Sequence, residues 1–158
     1  MQYLQETPYD LRILFNPPYC GLVIVSFIEH YTSKTKKEFP PSLLFLILPL
    51  TLNKQYLELF SKNPKQNLYQ IVEKNSEKFF KIPNIIENYI EITNETIFFL
   101  TESNVLSFID EKIIINKKNI KITSSINHVD LKGIKSVSNT LAKINDIPSI
   151  FLTLGVKL

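Results

Sequence analysis

Glycine is scarce. Gly21, Gly133 and Gly155 are the only three in 158 residues, and each stands alone. The chain therefore has no glycine-rich loop to cradle a phosphate or a dinucleotide, and any nucleotide chemistry belongs to a partner. Cysteine is scarcer: Cys20 is the single one, which excludes an intramolecular disulfide and fits a reducing cytoplasm. The two histidines, His30 and His128, are far apart in sequence with no cysteine near either, so the close spacing of a metal site is missing. A nucleophilic pair of Cys20 with His128 has no local signature, and no cofactor is implied. Long hydrophobic runs are lacking as well. A membrane-spanning helix needs about 20 predominantly apolar residues, and the runs Cys20–Ile28 and Leu43–Leu52 are both far shorter. No charged leader with a small-residue cleavage site opens the chain, so no secretion signal is expected.

What is present suits a folded domain. The length fits one domain or two small lobes and allows a substantial core. Apolar residues make up 44% of the chain and the net charge is only +3, which places it among folded rather than disordered sequences. The most hydrophobic stretch is FPPSLLFLILPLTLNK, Phe39 to Lys54, where only Thr51 is polar between Leu43 and Leu52.

Local signals predict mostly helices. Asn16 can cap a helix that Pro17 opens, running to about Lys34. Pro41 opens a second through LLFLIL, apolar on every side and therefore buried all round. Pro49 favours helix over central strand, because it would delete a ladder hydrogen bond. Asn53 caps a third, and amphipathic helices are expected over Gln66–Lys74 and from Ser76 to about Tyr89. Thr93 or Asn94 caps another, ETIFFLTESNVLSFI. A β-hairpin pairs Lys112–Asn116 with Asn119–Thr123 across the turn-like NKKN. Asp130 caps a helix to about Asn145, and Asp146 a short one ending at Gly155. The fold class is mainly α (α+β): a helical N-terminal lobe, 1–64, then a winged-helix-like region, 65–158, within one compact domain.

Charge is unevenly spread. Residues 65–110 carry four lysines against seven acids, and 111–158 carry eight against three. Lys112, Lys117, Lys118 and Lys121 cluster on or beside the expected wing, where they could touch nucleic-acid backbone or an acidic partner, or simply face water. The presumed recognition helix carries Glu95 and Glu102 and no base, which is unsuited to reading a groove. Glu87, Glu91 and Glu95 recur every four residues; they would share a face on a continuous helix, and the reading preferred here is a solvated acidic face broken at Thr93.

Two motifs carry a family likeness: LFNPPYCGLVIVSFIEHYTSKTKKEFPPSLLFLILPLTLNK and the closing AKINDIPSIFLTLGVKL. They resemble the middle-component family of bacterial three-component ABC systems, which shares an Asn-Pro opening, a Pro-Leu-rich block and a terminal Leu-Gly-Val. Asn53-Lys54 stands where that family has His-Lys, and Lys157-Leu158 where it has Arg-Pro. The likeness extends to the small subunit of Lamassu-type antiphage and antiplasmid defence systems. It implies a non-enzymatic adaptor between an SMC- or Rad50-like ABC ATPase, which senses DNA, and an effector such as a nuclease. The alternative is a stand-alone winged-helix transcription regulator. Under the adaptor reading, Leu43, Leu44, Phe45, Leu46, Leu48 and Leu50 serve either as core or as a surface for a partner.

Overall fold

The computed structural model describes residues 16–119 and 131–157. Helix α1, Pro17–Thr35, starts at Asn16, whose Oδ1 accepts the Tyr19 N–H at 2.8 Å. It stops at Lys36, which turns left-handed (φ 57°) and returns its N–H to the Thr32 carbonyl. A 3₁₀ turn, Pro41–Leu43, leads into α2, Leu44–Thr51. Pro49 lies within α2 and lacks the N–H that would reach back to Phe45. The chain then bends by 96° into α3, Lys54–Lys62, where Asn53 Oδ1 caps the Gln55 N–H at 3.1 Å.

Helix α4, Leu68–Lys74, opens on a capping box rather than at Gln66: Asn67 and Gln70 each accept the other's backbone N–H. A short α5, Ser76–Phe79, precedes α6, Ile82–Glu102, with Pro83 in its first turn. The expected break near Thr93 does not occur. Thr93 and Asn94 lie inside one continuous helix instead of capping a new one; Thr93 and Thr96 are fully buried, and Thr96 Oγ1 donates to the Ile92 carbonyl at 2.7 Å.

Helix α6 also ends sooner than expected. Asn104 turns left-handed (φ 58°), its N–H bonds the Thr101 carbonyl, and the Val105 N–H bonds the Leu100 carbonyl. This is a Schellman close with asparagine in the usual glycine place. The chain then forms β1, Leu106–Ile109, antiparallel to β2, Lys112–Ile115. The hairpin is thus one strand earlier than the sequence suggested: Lys112–Ile115 is a strand, but its partner is Leu106–Ile109. Of the expected second strand, Asn119 belongs to a 3₁₀ turn, Lys117–Asn119, and 120–123 lie outside the described residues. Asn119 Nδ2 donates to the Asn104 carbonyl at 2.8 Å and fastens that turn to the end of α6.

Asp110 and Glu111 both have positive φ, 52° and 63°. They form a two-residue hairpin turn of the kind that favours Asn-Gly. Glu111→Gly is therefore expected to stabilise the chain by about 0.5–1 kcal/mol, since a glutamate at this φ is strained. Urea unfolding at unchanged m-value checks it; a lower midpoint would contradict the turn.

Helix α7, Leu131–Ala142, ends three residues short of the sequence expectation, and its Asp130 cap lies outside the described residues. The last helix, α8, Ile147–Thr153, follows Asp146, whose side chain does not cap its backbone N–H groups as expected and accepts from Ser149 Oγ instead. It closes in a second Schellman motif at Gly155 (φ 75°), with Val156 N–H on the Phe151 carbonyl and Gly155 N–H on the Leu152 carbonyl. The terminal Leu-Gly-Val is therefore a helix stop.

The architecture is mainly α with one β-hairpin. Helix α1 packs along α7 and α6, α3 along α7, and α2 sits among α1, α3, α6 and α7. One continuous core runs from Cys20 to Leu154 and draws on both sides of residue 64. Aromatic edges knit it together: Phe39 stands edge-on to Phe27 and Tyr31 (centroids 6.0 and 5.1 Å), and Phe79 meets Tyr56 at 5.1 Å. Tyr56 keeps its hydroxyl satisfied by donating to the Lys78 carbonyl at 2.6 Å. No single helix among the described residues is long and apolar enough to cross a membrane.

Candidate partner-binding surface

The hydrophobic stretch goes into the chain's own interior. Leu43, Leu44, Leu46, Leu48 and Leu50 are all at most 2% exposed, enclosed by the helices around α2. Of the six residues considered for a partner surface, only Phe45 keeps some exposure. With four neighbouring helices around it, α2 turns little besides Phe45 outward.

The described basic residues at and beside the hairpin divide. Lys112 Nζ sits 3.0 Å from Glu38 Oε1, an exposed ion pair that ties the hairpin to the loop after α1. Lys118 is exposed, and its N–H is held by Asn116 Oδ1. The backbone of Lys117 belongs to the same 3₁₀ turn, while Lys121 lies outside the described residues.

Cys20 is buried, and burial pushes its thiol up to about 12, against a smaller opposing effect from Thr96. A thiol held protonated is a weak nucleophile. His128, its suggested partner, lies outside the described residues. His30 Nε2 lies 2.7 Å from Asn139 Oδ1, a link between α1 and α7. Among the described residues no three His, Cys, Asp or Glu side chains converge as metal ligands.

Exposed apolar side chains occur elsewhere. Because α6 is unbroken, Glu87, Glu91 and Glu95 do follow one another along one exposed face, and Glu102 is exposed near its end. Phe98, 67% exposed, stands among them, with Ile90 and Phe99 partly exposed. Pro17, Asn94, Glu95, Phe98, Phe99 and Glu102 line a shallow groove between the start of α1 and the end of α6. The Glu spacing was visible in the sequence. Its union with Phe98 was hidden by the supposed break at Thr93.

The hydrophobic stretch is thus enclosed by the chain's own helices, Cys20 is buried, and the aromatics near the end of α6 face solvent. A family model described as ABC-three component (ABC-3C) system Middle Component 3 matches residues 5–158, and the chain belongs to that family. It is a middle component of a multi-protein ABC-three component system. No curated protein and no solved structure matches the chain.

Proposed function

We propose that this chain is a non-enzymatic bridging subunit of a cytoplasmic antiphage or antiplasmid defence complex of the Lamassu type. It joins an SMC- or Rad50-like ABC ATPase to an effector such as a nuclease. The family match across residues 5–158 carries the reading. The protonated Cys20 and the exposed aromatics of α6 support an adaptor over a catalyst. In this reading the ATPase supplies nucleotide chemistry and DNA sensing, and the lysines at 112, 117, 118 and 121 meet either DNA phosphates or an acidic face of a partner. A stand-alone winged-helix regulator fits less well, because the helix preceding the hairpin presents four glutamates and no base, which phosphates would repel.

The test is co-purification of the three tagged components. The ATPase and effector are expected to co-elute only when this chain is present. Association of those two without it, or sequence-specific DNA binding by this chain alone, would overturn the proposal.

A further inference from the structure

We propose that the outer face of α6, with the groove at its end, is the docking site for a basic amphipathic helix of another component of the system. This rests on the bridging role and names the chemistry of one of its contacts. Three observations select the occupant.

The first is charge. Residues 82–102 hold Glu87, Glu91, Glu95 and Glu102 and no lysine or arginine, in a chain whose net charge is +3. Among the described residues none of the four meets a cation within ion-pair distance. Glutamates four apart on one helix face repel one another, and a cationic partner relieves that repulsion.

The second is apolar surface. Phe98 is 67% exposed beside Phe99 at 37%, and the groove these two line has a glutamate rim and no basic lining residue. An occupant with apolar residues about one helical turn apart and Lys or Arg beside them matches both features.

The third is backbone. The face belongs to the middle and end of a helix whose carbonyls and N–H groups are already paired within it, so it offers side chains only. An extended segment would find no strand edge to pair with, whereas a helix brings its backbone already satisfied.

The experiment uses the assembled complex. A photo-crosslinking p-benzoylphenylalanine is placed at Phe98 and the crosslinked peptide is mapped by mass spectrometry. In parallel, retention of the other components is measured for Phe98→Ser, for Glu91→Lys with Glu95→Lys, and for Phe80→Ser. Phe80 is 86% exposed and does not line the groove, so it serves as the control. The expected result is a crosslink to a Lys- or Arg-bearing helix of the ATPase or effector. Retention should fall roughly tenfold in both α6 variants, as for an interface anchor, and stay unchanged in the control. Wild-type retention should weaken with salt. Melting temperatures should match wild type, since the altered side chains are exposed.

A crosslink to a second copy, or to residues 1–15 of the same chain, would assign the groove another occupant and overturn the proposal. Loss with Phe98→Ser but not with charge reversal would remove the basic partner. Variants that assemble like wild type would sink the docking site and leave the bridging role standing. A wild-type chain that joins neither component would bring down both.

Discussion

Leu46→Ala is expected to lower the stability of the isolated chain by about 3 kcal/mol, within the range for a buried leucine that leaves a cavity. For a chain of this size that is a melting temperature lower by roughly 6–12 °C. Leu46 is fully buried, and α2 has helices on several sides, so neighbouring side chains cannot all collapse into the space. Phe45→Ala, one position along and partly exposed, should cost clearly less. The comparison separates two uses of the same hydrophobic stretch. If it forms the interior, stability falls first and assembly fails only as a consequence of unfolding. If it were a partner surface, Leu46→Ala would leave the isolated chain's unfolding midpoint where it was and reduce retention of the partner. Urea unfolding of the isolated chain beside co-purification of the complex decides between them.

The starts of α1 and α3 were legible because their causes are local. Asn16 before Pro17, and Asn53 before Lys54, show the signal in adjacent residues, and both cap as their chemistry requires. Gly155 likewise marked a helix end through its own conformational freedom. Errors arose where one residue type serves opposite roles. A threonine can start a helix or sit inside one with its hydroxyl on the preceding turn, and only burial decides. Thr96 takes the second role, and Thr93, the expected cap, is buried inside α6 with no hydrogen-bond partner for its hydroxyl among the described residues. The hairpin was misplaced for a related reason. Its turn uses Asp110 and Glu111 at positive φ, without the glycine that announces such turns, whereas NKKN downstream had the composition of one.

The candidate surface was legible only in parts. Hydrophobicity singled out Leu43 to Leu50 but could not say whether the chain's own helices or a partner would cover them, since that depends on α1, α6 and α7 arriving from distant sequence. The glutamates were noticed at their four-residue spacing. Their significance needed an unbroken α6, which brings Glu91 and Glu95 into line with Phe98. An exposed aromatic on such a face has no sequence signature of its own, because phenylalanines at helical spacing usually belong to a core.

Gly21→Val is expected to cost about 3 kcal/mol through crowding of the seam between α1 and α6. A β-carbon at Gly21 would lie 2.9 Å from Leu100 Cδ2 and 3.5 Å from its Cγ, with Phe99 Cδ1 at 3.9 Å. Leu100 is itself only 3% exposed, so its methyl has little room to withdraw. Alanine at the same position would gain up to about 1 kcal/mol of helix propensity, and that gain offsets part of the clash. Valine adds two further methyls and loses most of the offset, so it is the more decisive change. The clash has one named partner, which makes it testable by a cycle. Leu100→Ala alone should destabilise by about 2–5 kcal/mol through the cavity it leaves. In the Gly21→Val background the new methyls enter that cavity, and the double variant should be more stable than the sum of the singles by about 1–2 kcal/mol. The pair also bears on function, because Phe99 adjoins this seam and borders the α6 groove. A wedge at Gly21 that moves α6 outward should weaken partner retention, and Leu100→Ala should partly restore it. Additive free energies within about 0.5 kcal/mol would mean that α1 and α6 do not meet at Gly21, and the groove built on their approach would lose its inner wall.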